Sequence, residues 1–378
     1  MSVGADVVVV GAGIVGAACA RACARRGLRT VVVDAAGIGG GATAAGMGHI
    51  VVMDDSPAQL ALTAYSQRLW RELAEDLPVE AEFDVCGTLW VAADDEEMAE
   101  VRRKQAVYAS AGLVTEVLDG PALAEAEPQL RPGLAGALQV GSDAVLYPPC
   151  AAAFLMREAQ RAGAEVRLGR RVVSAAQGRV RLEDGTELTA EKIVVAAGAD
   201  AARLLPGLPV RKRRGHLVIT ERYSGWVRHQ LVELGYLKSA HSVTTDSVAF
   251  NVQPRRTGQL LIGSSREYGA ETAEVNRTLL AAMIARAKSY LPGIGGLEAI
   301  RVWTGFRAAT PDKLPLIGAW PGDHTVWLAT GHEGLGITTS LGTAEVLVAG
   351  MLGERSEIPG EPYAPGRFAG MAAEVAHA

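Results

Sequence analysis

Cysteine is scarce in this chain. Cys19, Cys23, Cys86 and Cys150 include no C-x-x-C pair, so a redox dithiol and a thiolate zinc knuckle are both excluded. Cys19 and Cys23 stand one helical turn apart and read as buried structural thiols. The seven histidines show no metal-ligand spacing, and no metal is expected. An excess of one charge is also missing: 37 Lys+Arg against 42 Asp+Glu leave a net charge of −5. No broad basic surface for nucleic acid or an anionic membrane is expected. The short run Arg211-Lys212-Arg213-Arg214 reads as a solvated face or as the wall of an anion site. Long apolar runs are absent as well. "VVVVGAGIVGAACA" is interrupted by Arg21 before it could span a bilayer. "MSVGADVVVV" lacks a basic n-region and a small-residue cleavage site, which predicts a cytoplasmic location.

What is abundant is glycine, 44 residues in a chain of 378 that is 49% hydrophobic. That composition fits a soluble α/β protein able to bury one or two cores. "DVVVV" (6–10) is a continuous β-run, "GAGIVG" (11–16) follows at once, and "AACARACARRG" (17–27) has helical composition. A strand, a glycine turn and a helix result. Gly11 permits the turn, Gly13 allows a pyrophosphate to approach the backbone, and Gly16 lets the helix pack on the strand. The helix N-terminus at Ile14 and Val15 then faces the phosphates. A second strand, "RTVVVD" (29–34), ends in Asp34, followed by Ala35. A carboxylate there accepts the ribose hydroxyls and repels a 2′-phosphate.

This module serves NAD and FAD alike, and three further stretches favour the larger cofactor. "GGGATAAGMGH" (39–49) offers small residues that let the chain wrap an extended molecule. "KIVVAAGADAARLL" (192–205) is a strand entering a second glycine turn at Ala197 and Gly198. "TVWLATGHEGLGITTSLGTAEVLVAG" (325–350) gives strand, turn and helix, with a helix N-terminus suited to the negative charge of a reduced flavin. Elsewhere "VTTDSVAFNVQPRRTGQLLIGSS" (243–265) has hairpin grammar, as does "EVRLGRRVVSAAQGRVRLEDGTEL" (165–188) with Asp184-Gly185 as its turn.

The order of "VVVVGAGIVGAACA", "GATAAGMG", "VVAAGA", "GFRAATPDKLPLIG" and "TGHEGLGITTS" resembles the D-amino-acid oxidase superfamily of FAD-dependent oxidoreductases, and within it the glycine oxidase type. The resemblance spans essentially the whole chain. "AAGMGHIVVMDDSPAQLAL" and "RAATPDKLPLIG" are most similar to D-hydroxyproline dehydrogenase flavin subunits and to the flavin subunit of hydrogen cyanide synthase.

The fold so implied is α/β: a Rossmann-like FAD-binding domain with a parallel sheet (1–78, 142–211 and 305–378) and a second α+β substrate domain built on an antiparallel sheet (79–141 and 212–304). Residues matching the family's cofactor site are Gly41, Ala42, Thr43, Ala45, Gly46, Met47 and Gly48 along the flavin, and Val173 near the adenine. His332, Glu333, Gly334, Leu335, Gly336, Ile337 and Thr338 would close over the pyrimidine end. Phe306 stands where the related monomeric sarcosine oxidases carry a flavin-tethering cysteine, which predicts non-covalent FAD.

Arg307 matches the arginine that holds the substrate carboxylate, a task for which a planar guanidinium is suited. Its alternative is an ordinary ion pair, with Asp312 a nearby candidate. Ala308 replaces the proline common after this arginine. Asn251, in "NVQPR", replaces a substrate-facing tyrosine, which puts glycine itself in doubt and suits a hydroxyl-bearing substrate. His49 is read either as a flavin contact or as a loop histidine, and Glu333 either as an amine-steering charge or as the acidic start of the C-terminal helix. Tyr147 and Tyr236 are weaker candidates.

The implied reaction is hydride transfer from Cα of a small amino or imino acid, D-proline-like or hydroxyproline-like, to flavin N5, giving an imine. A glycine or sarcosine oxidase producing hydrogen peroxide is the alternative. Oxygen, a quinone and a partner subunit stay open as electron acceptor, as do a homo-oligomer and a hetero-complex.

Overall fold

A run of valines opens the first sheet because both of its faces are covered. In the computed structural model, which describes residues 4–235 and 246–368, Val7 and Val9 of β1 (Ala5–Val10) enter one core, while Val8 and Val10 enter the core on the opposite face. A strand buried on both sides has no need of alternating polarity, and β-branched residues suit it. Beside β1 run, in parallel, β2 (Thr30–Asp34) with β8 (Glu165–Leu168) beyond it, and on the other side β11 (Glu187–Val195) and β18 (Asp323–Thr330). An antiparallel β17 (Leu316–Trp320) closes that edge.

The helix Ile14–Arg25 packs here with the helices Pro148–Arg161 and Gly336–Leu352. Its alanines and cysteines are small enough for close approach. Burial pushes the Cys19 thiol far up and that of Cys23 up to about 12, so both act as inert packing groups.

The hairpin grammar of 165–188 belongs to this first sheet and not to the second. β9 (Val172–Ala176) and β10 (Arg179–Leu182) form a flap hung antiparallel on β11. Asp184 Oδ1 accepts from Thr186 N at 2.9 Å and Gly185 has φ of 85°, which closes the turn.

The second sheet has the order β16 (Ala299–Ala309), β12 (Arg211–Arg222), β15 (Gln259–Arg266), β14 (Ser247–Pro254), β13 (Gln230–Glu233), β4 (Thr88–Ala92), β6 (Gly136–Val140) and β5 (Glu116–Asp119). All neighbours are antiparallel except β13 and β4, which run parallel. Here the period of two is strict. Leu89, Val91, Leu231, Phe250 and Val252 enter a core shared with the helix Arg277–Tyr290, where Phe250 and Tyr290 stack at 4.5 Å. The intervening Thr88, Trp90, Gln230, Val232, Asn251 and Gln253 all turn to the opposite face, toward the first sheet. A two-stranded ladder, β3 (His49–Ile50) with β7 (Ala144–Val145), lies between. Among the described residues no helix is long and apolar enough to cross a membrane.

Candidate functional site

The nucleotide side is shaped by glycines that could not be anything else. Gly11 has φ of 113° and a Cβ there would strike the Ala196 carbonyl; one at Gly16 would strike the carbonyl of Gly11. The helix therefore starts hard against the ends of β1 and β11. Gly13 caps it without a side-chain bond, and the Ile14 amide donates to Thr43 Oγ1 at 3.0 Å; Val15 is partly exposed in the first turn.

Asp34 is held between two amides: Oδ2 accepts from Ala12 N at 2.8 Å and Oδ1 from Ala36 N at 2.7 Å. Ala35 beside it is exposed. Gly41 and Gly198, both at φ of 55°, have nothing within 4 Å of the place a Cβ would take. Ala197 precedes that second turn, whose Gly198 carbonyl accepts from Thr330 Oγ1 at 2.9 Å. Exposed backbone at Gly41 and Ala42, a pinned carboxylate and a helix start with a bare glycine as its cap fit an extended dinucleotide such as FAD. Val173 is 41% exposed on β9, close in sequence to Arg170, whose amide donates to the Asp34 carbonyl.

The loop that follows is laced to the second sheet and to the helix Gly336–Leu352. Trp303 Nε1 donates to the Ala45 carbonyl at 3.3 Å, and Gln253 Nε2 to the Met47 carbonyl at 2.8 Å. Gly46 packs on Ile337, and Gly48, at φ of 101°, packs on the Leu146 carbonyl. Thr338 Oγ1 donates to the His49 carbonyl at 2.8 Å.

The helix Gly336–Leu352 begins beside it, with Leu335 as a cap that makes no side-chain bond and with no acid in its first turn. Two expectations change here. Glu333 is not the acidic start of that helix: it precedes it, at φ of 54°, and forms an ion pair with Arg213. The His332 ring turns into the helix, its Nε2 at 3.0 Å from Thr343 Oγ1, and burial drives its pKa down to about 3, so it is neutral. Only its backbone, which accepts from Leu335 N, shapes the loop.

Between this loop and the second sheet lies a cavity. His49, Arg213, Asn251, Arg307, Glu333 and Gly334 border it, with Thr88, Trp90 and Gln230 on the far wall and Arg266 also present. The guanidinium of Arg307, reaching in from β16, lies across Gly215 of β12, where any Cβ would overlap it; its Nη1 donates to the Ser265 carbonyl at 2.9 Å. Asp312 is committed elsewhere: it takes both Arg367 Nε at 2.7 Å and Nη2 at 3.1 Å, so it is not the partner of Arg307. Arg213, opposite Arg307 in the ladder, also donates to the Tyr268 hydroxyl at 3.0 Å.

The basic run 211–214 is thus mostly not a solvated face: Arg211 is exposed, Arg213 is buried at the cavity wall, and Arg214 is buried in an ion pair with Glu267.

Among the described residues, the buried Oδ1 of Asn251 has no hydrogen-bond partner, and His49 Nε2 is in the same state. Burial lowers the His49 pKa to about 4, Gln253 opposing and Arg307 assisting, so it too is neutral. The structure therefore brings Arg307, Asn251, His49 and Glu333 together at one cavity. Tyr147 is not among its lining residues and packs under Arg255, whose guanidinium lies 4.6 Å from the ring centre. Tyr236 lies outside the described residues. Missed in the sequence were Gln230, Thr88, Trp90, Arg266 and the silent Gly215; the strands that carry Thr88, Trp90 and Gln230, β4 and β13, are too short for their alternation to stand out.

The chain matches the family described as FAD dependent oxidoreductase over residues 6–349. It is 27% identical to a glycine oxidase of Pseudomonas aeruginosa, covering 95% of this chain and 98% of that protein. Against hydrogen cyanide synthase subunit HcnC of the same organism it is 28% identical, covering 98% of each. The crystal structure of glycine oxidase from Geobacillus kaustophilus superposes with a TM-score of 0.84 at 25% identity, over 95% of this chain and 98% of that one.

Proposed function

Since the chain belongs to the FAD dependent oxidoreductase family, we propose that it oxidises a small α-amino or α-imino acid, D-proline-like or hydroxyproline-like, at the carbon bearing the nitrogen. FAD, when bound, supplies the hydride acceptor. The observation that carries the reading is the placement of Arg307 over Gly215 at one end of a cavity bounded by buried acceptors at the other.

Arg307 would take the substrate carboxylate in two parallel hydrogen bonds, fixing position and orientation together. Arg213 with Glu333 would form a neutral flank, so the anchoring charge stays with Arg307. Asn251 would receive a ring hydroxyl or a second polar group. Neutral His49 adds no cation at the amine, which must itself lose its proton before the carbon–hydrogen bond breaks. Such positioning is enough without a dedicated base.

In this reading residues 1–78, 142–211 and 305–378 form the cofactor domain and 79–141 with 212–304 the substrate domain, a division supported by strand membership of the two sheets except at β16, which belongs wholly to the second sheet and crosses the 304/305 boundary. FAD would be non-covalent, Phe306 being unable to form a thioether. Glycine oxidation is supported equally by the relatives' names, and HcnC, named as a subunit, supports a complex in which a partner takes the electrons.

Anaerobic addition of D-proline, cis-4-hydroxy-D-proline, glycine and sarcosine to the purified flavoprotein tests the reading. Bleaching of the flavin band by a cyclic imino acid is expected. Bleaching by glycine and sarcosine alone would replace it with the glycine oxidase reading, and no bleaching by any of the four would overturn both.

A further inference from the structure

Gln230 is 1% exposed, and its Nε2 donates to Thr88 Oγ1 at 2.6 Å. A hydroxyl oxygen accepts through its lone pairs, so Thr88 Oγ1 holds the amide of Gln230 by its nitrogen.

The amide nitrogen of Gln230 therefore faces Thr88 and the oxygen faces the other way. That Oε1 is buried with no hydrogen-bond partner among the described residues, and Gln230 borders the same cavity as Arg307. Asn251, one strand over on the same face, places on that wall a second amide oxygen with no partner among the described residues. Buried acceptors left unpaired are costly, so such a wall discriminates in favour of a ligand that brings donors to it.

We propose that Gln230 is a specificity-determining residue that accepts the N–H of a substrate whose carboxylate Arg307 holds, with Thr88 as the positioning residue that keeps its oxygen turned inward. The proposal deepens the function given above and rests on its carboxylate anchor. It selects primary and secondary amino acids and disfavours isosteric carboxylates that carry an acceptor where the nitrogen should be.

Two planar five-membered ring acids of matching shape test it: pyrrole-2-carboxylate carries N–H beside the carboxylate, and furan-2-carboxylate carries a bare oxygen there. Each is titrated into the FAD-loaded protein and followed by perturbation of the flavin absorbance at equilibrium, without turnover. Wild-type protein is expected to bind the pyrrole acid about tenfold or more tightly than the furan acid, the factor that one net hydrogen bond confers. In Gln230→Leu the ratio should fall to within about twofold, through loss of pyrrole affinity, and in Thr88→Val it should fall part of the way.

A purely structural role for Gln230 would weaken both ligands together and leave the ratio intact, which would overturn the proposal. A wild-type ratio near one would do the same, as would a ratio that collapses in Asn251→Leu but survives in Gln230→Leu. If neither acid perturbs the flavin at millimolar concentration, the carboxylate anchor fails and the proposal fails with it. Should Gln230→Leu not fold, the wild-type ratio and the Thr88→Val ratio decide the matter.

Discussion

The guanidinium of Arg307 occupies the space that a side chain at Gly215 would need. Two residues diagonal to one another on neighbouring strands thus share one volume, and the bare backbone of β12 is what lets the cation lie flat on the sheet. Gly215→Ala should push the guanidinium aside, a cheap movement for the end of a flexible side chain. Stability should change little while KM for the amino acid rises at least about tenfold, the displaced anchor being a charged, bidentate contact. Steady-state kinetics beside a thermal melt separate the two effects.

Removing the cation altogether should be more severe. Arg307→Ala is expected to lower kcat/KM by about 2–5 kcal/mol of transition-state binding, the range for truncating one partner of a buried hydrogen-bonded charge pair. FAD content per protein should be unchanged, measured by absorbance after gel filtration.

Glu333→Gln separates charge from shape. Arg213 and Glu333 are both nearly buried, and breaking a buried pair by removing one charge costs about 3–5 kcal/mol. Lower stability is expected together with tighter binding of carboxylate inhibitors, because a negative charge has left the cavity. Loss of stability with weaker inhibitor binding would contradict the neutral-flank role.

Stability should depend on pH through three buried groups. His49 and His332 have folded pKa values lowered to about 4 and about 3. Unfolded, they take protons near 6.5, so their contribution is complete above that pH and declines as pH falls toward 4, by about 2 kcal/mol per group at pH 5. Asp143 acts in the opposite sense. Burial raises its pKa to about 7, above its unfolded value, so its contribution is complete at low pH and is lost as pH rises from about 4 to 7. Thermal melts from pH 5 to 8 should show Asp143→Asn gaining on the wild type as pH rises, and His332→Asn less sensitive than the wild type to acid.

Acid precipitation should leave a colourless pellet and release the flavin into the supernatant. Colour retained in the pellet would contradict the reading of Phe306.

The nucleotide half was legible because its signals are local. Gly11, Gly13, Gly16 and Asp34 sit within one strand–turn–helix–strand unit, and their spacing alone dictates where the carboxylate meets the glycine turn. Arg307 and Asn251 came from resemblance to a family, and the structure brings both to one cavity. Glu333 was misread because an acid near a helix start has a generic explanation; its actual partner lies 120 residues away on another strand. Gly215 and Gln230 gave no local signal at all. A glycine that yields its volume to another residue, and an amide oriented by a hydroxyl on another strand, exist only once strands are paired.

Thr88 and Gln230 touch across the parallel seam of β4 and β13, though 142 residues of chain separate them. The cavity wall that carries Gln230 is consequently a joint product of an early and a late segment of the polypeptide. Chimeras of two relatives joined anywhere between those positions would pair one parent's hydroxyl with the other's amide, and their choice of amino acid would follow neither parent.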